Sequence, residues 1–161
     1  MLCQGKVQYG IVKVKYNKKG IPLMVAKGKW DSRQYTKRQK TVISKIVITH
    51  WIENLLLAYA GELRIEDVYG SKCEFCQLFY STPKTVDHNC QYCPLNIWSF
   101  GCNDERSSWD NVYVKVHEEL WGKRHEELKD NIIIIKYVEE MLKTLEYVCD
   151  EWINSPAKET K

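Results

Sequence analysis

Apolar and polar residues alternate near the start of the chain. Residues 12–16 carry Val or Tyr at every second position with Lys between them, which is the period of a β-strand. An Asn-Lys-Lys-Gly run follows and is typical of a tight turn, because Gly20 can adopt a positive φ. A second apolar run, 21–26, would return as the partner strand, with Pro22 at a strand start or an edge. The pattern therefore predicts a β-hairpin within residues 6–29.

The period of the apolar residues then changes from two to three or four, which is the spacing of one helix face. We predict a long helix from Tyr35 to about Ala60, with Asp31 or Ser32 as its N-cap. Gly61 is suited to end this helix, since glycine readily adopts the left-handed conformation. The second half of the helix is apolar on nearly every side, so we expect that half to be buried.

Two more helices are predicted in the last third of the chain. The first runs from Asp110 to about His125, with one serine of the pair 107–108 as its cap. The second follows Asp130, a suitable N-cap, and continues to about Asn154. Its apolar residues form a single stripe: Ile134, Ile135, Val138, Met141, Leu142, Leu145, Val148, Cys149 and Trp152. A stripe of this kind predicts a helix with one side in the core.

Five of the seven cysteines lie within thirty consecutive residues. Cys73 and Cys76 form one CxxC pair, and Cys90 and Cys93 form a second pair after thirteen intervening residues. A CxxC turn lets two thiolates converge on one cation, and two such turns complete a tetrahedron. So short a segment cannot bury enough apolar surface to hold itself, whereas bound zinc supplies about 10 kcal/mol in zinc-finger peptides. We therefore predict zinc bound by these four cysteines, with Cys102 as a fifth candidate ligand.

The cysteine cluster also allows other interpretations. An iron–sulfur cluster suits ligation by cysteine alone, and the Cys93-Pro94 pair is typical of such sites. The cysteines could instead be buried without metal or joined in disulfide bonds. His88 is a further candidate ligand, and Cys149 is expected to be a small core residue.

Charge is distributed unevenly along the chain. Residues 1–45 contain twelve Lys or Arg and one acid, a net charge of +11, whereas residues 46–161 contain twelve bases and twenty acids, a net charge of −8. Bases and aromatics interleave in the first region, and this combination suits nucleic acid because cations contact phosphates while rings stack on bases. The candidate nucleic-acid contacts are Lys13, Lys15, Lys18, Lys19, Lys29, Arg33, Lys37, Arg38 and Lys40. The alternative is a basic surface that is solvated or docks on the acidic remainder of the chain.

The CxxC, CxxCP and GC series with a downstream Trp resembles small cysteine-cluster proteins of unassigned role encoded by phages and archaeal viruses. The similarity covers about residues 70–110, a quarter of the chain. The matching residues are Cys73, Cys76, Cys90, Cys93, Pro94, Leu95, Gly101, Cys102 and Trp109. The resemblance implies that all five cysteines act together, and it implies no particular activity.

A second resemblance concerns the Asp87-His88 pair between the two CxxC pairs. It is similar to HNH endonucleases, in which a catalytic His precedes a second zinc knuckle. Here a single residue separates His88 from Cys90, and no second His follows in the cluster. These departures argue against nuclease activity, which we keep as a third alternative.

No targeting or membrane segment is predicted from the sequence. The first residues lead directly into the basic alternating region, and the most apolar run, Ile46 to Ala60, is short and interrupted by polar residues. We therefore expect a cytoplasmic, reducing environment, in which clustered cysteines more often bind metal than form disulfides. The sequence contains no P-loop, dinucleotide-binding or nucleophile-elbow motif.

These observations predict a single α+β domain over 1–161. A β-hairpin (1–32) and a helix (33–61) precede a zinc-knuckle-like cysteine insert (70–104) and the C-terminal helices (108–154). The predicted function is a non-enzymatic, metal-stabilised nucleic-acid-binding or regulatory protein of viral type. The alternative is a protein-interaction module that acts on a host protein through aromatics exposed near the knuckles.

Overall fold

The computed structural model describes residues 3–9, 12–16, 22–24, 32–69, 73–75, 93–101 and 104–156. Three strands come first: β1 (Cys3–Tyr9), β2 (Val12–Tyr16) and β3 (Pro22–Met24). The helices are α1 (Lys37–Ala60), α2 (Pro94–Trp98), α3 (Ser108–Leu120), α4 (His125–Leu128) and α5 (Ile132–Asn154). Two short 3-10 turns, Ser32–Gln34 and Ile65–Val68, flank α1.

The strands pair antiparallel in the order β1-β2-β3. Val14 of β2 lies opposite Val7 of β1 and Met24 of β3, and the β1 register shifts between Cys3 and Lys6. Among the described elements, extensive contacts join strand to strand or helical element to helical element.

The predicted α+β class, built from a β-hairpin and helices, is wrong. The described residues between 32 and 156 are 75% helix and contain no strand. Between residues 32 and 156, the buried side chains of the described core come from helices and from the segments that join them. The protein is thus helical in its core.

Helix α5 is the centre of this core, with α1 and α3 packed antiparallel to it. Lys40 at the start of α1 contacts Ser155 at the end of α5, and Asp130 before α5 donates its backbone N–H to Tyr59 O at 3.1 Å. Ser108 at the start of α3 lies 2.6 Å from Thr144 between their hydroxyl oxygens. The predicted α5 stripe is confirmed, since seven of its nine residues are buried and the other two pack against the core.

Both ends of α1 are defined by local chemistry. Thr36 is the N-cap, in place of the predicted Asp31 or Ser32, and it forms a capping box: Thr36 Oγ1 accepts from Gln39 N at 3.2 Å, and Gln39 Oε1 accepts from Thr36 N at 2.7 Å. The prediction that Gly61 ends the helix is confirmed by its φ of 71°.

Replacing Gly61 with Ala should lower the free energy of unfolding by about 1–3 kcal/mol, since a left-handed backbone disfavours a side chain. A Cβ there would also lie 2.7 Å from the backbone N of Lys129. Gly122→Ala is the matched control, because Gly122 has φ of 72° and nothing within 4 Å of the added Cβ. Urea denaturation of both variants checks this. An equal loss in the two would show that the close approach to Lys129 has no effect.

The second half of α1 is not buried on every side, so that expectation is wrong. Ile52, Leu56 and Tyr59 are 43%, 64% and 43% exposed. Helix α1 is long and apolar enough to cross a membrane, but core helices of globular proteins pass the same test of length and composition. In its most apolar 18-residue window, 33% of the residues are buried. The outer side of the second half of α1 thus carries apolar side chains that are open to solvent.

The predicted helix from Asp110 to about His125 ends earlier, at Leu120. Ser107 caps α3 as predicted, and its hydroxyl accepts from Asp110 N at 2.9 Å. The chain turns at Gly122 before α4 begins. Asn131 caps α5 in place of the predicted Asp130, because its side chain accepts from the backbone N–H groups of Ile133 and Ile134, both at 3.1 Å. Local turn and cap residues thus set helix ends that hydrophobic spacing locates only approximately.

Candidate functional site

The structure describes two of the five candidate metal ligands. Cys73 and Cys93 are 2% and 5% exposed and belong to one core cluster. Cys76, Cys90 and Cys102 lie outside the described residues. Within the described ranges no group of three or more His, Cys, Asp or Glu side chains forms a metal site. The zinc site and its iron–sulfur alternative therefore stay predictions.

The core holds the first cysteine segment through Phe75, one of the two residues between Cys73 and Cys76. Phe75 is fully buried, and its ring meets that of Trp152 edge-to-face at 5.8 Å between centroids and 82° between planes. Trp152 belongs to α5, the central helix. Cys73 is therefore attached directly to the centre of the core.

The second cysteine segment is fixed by a helix start. Cys93 is the N-cap of α2, and its carbonyl accepts from Asn96 N at 3.0 Å and Ile97 N at 3.1 Å. Pro94 follows at the first helical position, where the absence of its N–H costs nothing. Leu95 is 2% exposed, and α2 packs on α5. Each CxxC pair therefore has one cysteine in the same helical core.

Cys149 is buried on α5, as predicted for a small core residue. Burial raises the pKa of the Cys149 thiol to about 11, although a hydrogen bond with Ser44 opposes the shift. Cys149 thus packs in the core on the buried side of α5.

His50 and Glu74 form a partly buried pair that the sequence did not reveal. Glu74 lies inside the first CxxC pair and is 2% exposed. His50 Nδ1 on α1 lies 2.9 Å from Glu74 Oε1 and 3.1 Å from Oε2. The hydrogen bond to Glu74 raises the pKa of His50, while burial opposes the shift. The pair joins the cysteine segment to α1, and its 24-residue separation leaves no signal in the sequence.

Replacing His50 with Ala should lower the free energy of unfolding by about 1–3 kcal/mol, because it leaves the buried Glu74 carboxylate without its partner. The double variant His50→Ala/Glu74→Ala should cost less than the sum of His50→Ala and Glu74→Ala, with a coupling free energy of about 0.5–3 kcal/mol. Glu53→Ala, on the exposed side of α1, is the control and should be near neutral. Urea denaturation of these variants gives their free energies of unfolding. If the losses of the two single variants simply add in the double variant, the interaction between His50 and Glu74 contributes no stability.

The predicted nucleic-acid residues have different surroundings. Lys37 and Arg38 are exposed on the first turn of α1, and Arg33 is half-buried. Lys13 and Lys15 lie on β2. Three other candidates, Lys18, Lys19 and Lys29, lie outside the described residues.

Lys40 is buried and is already bound within the protein. It is 1% exposed, and its ammonium donates to Ser155 O at 3.1 Å and Ser155 Oγ at 3.0 Å. Burial lowers the pKa of this lysine. A cation at the end of α5 interacts favourably with the helix dipole. We therefore leave Lys40 out of the proposed nucleic-acid surface.

A row of aromatic rings on α3 was also missed from the sequence. Trp109, Tyr113, His117 and Trp121 are four residues apart, so they follow one another along the helix. Adjacent ring centroids are 5.4, 6.4 and 6.1 Å apart in chain order, with interplanar angles of 8°, 36° and 21°. Tyr69 joins the row beside Tyr113 at 6.0 Å. We call these five residues the aromatic ladder. The four-residue spacing of the four rings from Trp109 to Trp121 was its signal in the sequence.

The fold and its cysteine segments define a helical protein with a candidate metal-binding cluster anchored in its core. Comparisons with family models, characterised proteins and solved structures found no match for this chain. The resemblance to viral cysteine-cluster proteins stays a prediction.

Proposed function

We propose that the protein is a non-enzymatic nucleic-acid-binding or regulatory protein whose fold is stabilised by zinc at its clustered cysteines. The observation that carries the proposal is the concentration of positive charge in residues 1–45, net +11, whose described part includes the exposed Lys37, Arg38 and Lys45 of α1. Lys37 and Lys45 are both exposed and lie about two turns apart, with Arg38 beside the first of them. Fields act locally, so this surface would attract phosphates despite the small total charge.

The position of these bases on α1 also supports an anionic partner. Positive charge near a helix N-terminus costs about 0.3–1 kcal/mol per residue, because it opposes the helix dipole. The first turn of α1 contains Lys37 and Arg38 and no acid. A bound phosphate backbone would offset this cost and would also meet the positive end of the helix.

Zinc has a structural role in this proposal, and an iron–sulfur cluster is the alternative cofactor. Thiolate ligands persist in a reducing compartment, so the proposed location is the cytoplasm. The resemblance to viral cysteine-cluster proteins would make this the cytoplasm of a host cell.

Binding to a labelled random oligonucleotide at several salt concentrations tests the proposal. Affinity should fall as salt rises, with a slope of about −0.7 per phosphate contact for a single strand. The double variant Lys37→Glu/Arg38→Glu should weaken binding and flatten that slope, whereas Lys136→Glu/Lys143→Glu, exposed on α5, should bind like the original protein. Absence of binding at low salt would contradict the proposal, and equal effects of the two variants would move the contact surface elsewhere.

A protein-interaction module is the second candidate function. Two exposed aromatics favour it: Tyr69 lies four residues before Cys73, and Phe100 lies two residues before Cys102. They are 39% and 45% exposed. Metal-dependent nuclease activity remains the third alternative, and Asp87 and His88 lie outside the described residues. Incubation of plasmid with magnesium or manganese tests it, since the proposed role predicts no cleavage.

A further inference from the structure

The aromatic ladder ends in an open ring face. His117 covers one side of the Trp121 ring, and Trp121 is nevertheless 79% exposed. The rings nearer the start of α3, Trp109 and Tyr113, pack against the core instead. Trp121 is therefore the accessible end of a stack that the core holds in place.

Acidic residues predominate around the ladder. Residues 109–130 contain six acids and four bases, a net charge of −2. Two ion pairs within this segment, Lys115 Nζ with Glu118 Oε2 at 3.0 Å and Lys123 with Glu119, cancel two charges of each sign and leave the net charge at −2. Residues 62–67, whose 3-10 turn packs on α3, add three acids and one base. This surface therefore favours a cation over a phosphate backbone.

We infer that the aromatic ladder and its acidic surroundings form a docking surface for an arginine- or lysine-rich segment of a partner protein. A guanidinium group stacks on the face of an aromatic ring, and Trp provides the best face. The protein already contains one such contact, since Arg106 lies 4.4 Å from the Phe100 ring centroid. The inference rests on the proposed protein-interaction role, names its partner chemistry, and is independent of nucleic-acid binding at Lys37 and Arg38.

A shallow cavity next to α3 provides room for a further cationic side chain. Its volume is about 520 Å³, and Leu120 of α3 forms part of its wall. Glu62 and Glu66 line it together with Arg64 and His125. Arg64 Nε lies 3.8 Å from Asp67 Oδ2, so the positive charge of Arg64 is partly neutralised by a carboxylate that is not part of the cavity wall. A basic peptide could therefore place one side chain on Trp121 and another in this cavity.

Binding of a labelled peptide that alternates Arg and Gly to the full chain tests the inference. Trp121→Ala should weaken binding about 2- to 30-fold, the range expected for loss of one cation–π contact. Tyr147→Ala, a 57% exposed ring on α5, is the matched control and should leave binding unchanged. Far-ultraviolet dichroism of both variants verifies that they fold. Affinity should also decrease with salt, because the acids around the ladder are exposed.

Three outcomes would overturn the inference. They are no peptide binding at low salt, equal weakening by Trp121→Ala and Tyr147→Ala, or loss of oligonucleotide rather than peptide binding in Trp121→Ala. The last outcome would make the ladder a stacking surface for bases. Lys37→Glu/Arg38→Glu should leave peptide binding intact, so failure of this inference and failure of nucleic-acid binding are distinguishable.

Discussion

Removing the proposed zinc with a chelator should lower the melting temperature sharply and abolish much of the near-ultraviolet dichroism. Metal binding to a site that is absent from the unfolded chain contributes its free energy to folding. If metal binding contributes a net stabilisation of only about 4 kcal/mol, its loss would lower the melting temperature of a protein this size by about 8–16 °C. The loss should reach the whole core, because Cys73 and Cys93 both pack in the cluster around α5.

The control for metal removal is the double variant Cys73→Ser/Cys93→Ser. It should melt near the temperature of the stripped protein, and the chelator should lower it little further. Adding zinc back should restore the melting temperature of the stripped original protein and should leave that of the variant unchanged. A chelator-treated protein that keeps its melting temperature and its dichroism would contradict a structural metal.

Replacing Trp152 with Ala should lower the free energy of unfolding by about 3–5 kcal/mol, the usual cost of truncating a buried aromatic. Trp152 is fully buried, its Nε1 donates to Ser32 O at 2.8 Å, and its ring meets that of Tyr35 at 6.0 Å. The change should also weaken metal binding, because the same ring supports Phe75 inside the first CxxC pair.

Two other tryptophan variants separate the contributions of Trp152. Trp152→Phe keeps a ring and loses one hydrogen bond, so it should cost less than the alanine variant. Trp121→Ala removes an exposed ring and should be near neutral in stability. Urea denaturation and zinc titration of the three variants check both effects. A Trp152→Ala protein that binds zinc as tightly as the original would show that the core and the cysteine cluster are independent.

Hydrophobic spacing predicted the parts of the fold that one helix face determines. The α5 stripe and the end of α1 at Gly61 followed from local sequence. The class of fold did not, because period-two alternation indicates strands without indicating what they pack against. The end of α3 depends on the turn at Gly122, which lies just beyond Trp121, the last residue of its apolar pattern.

Long-range polar contacts were the other limit of the sequence. Lys40 belongs by sequence to the basic region, yet its ammonium is bound at the end of α5, 115 residues away. Glu74 is paired with His50, although it stands in a segment notable only for its cysteines. Such pairings depend on which helices become neighbours, and composition cannot supply that information.

The most direct test is the metal content of protein purified under reducing conditions, determined by elemental analysis together with a visible absorption spectrum. The proposed zinc site predicts one zinc per chain and a colourless solution. A brown solution containing iron would replace zinc with an iron–sulfur cluster. Protein that is fully folded and contains no metal would contradict the proposal that thiolate–metal bonds hold the cysteine segments to the helical core.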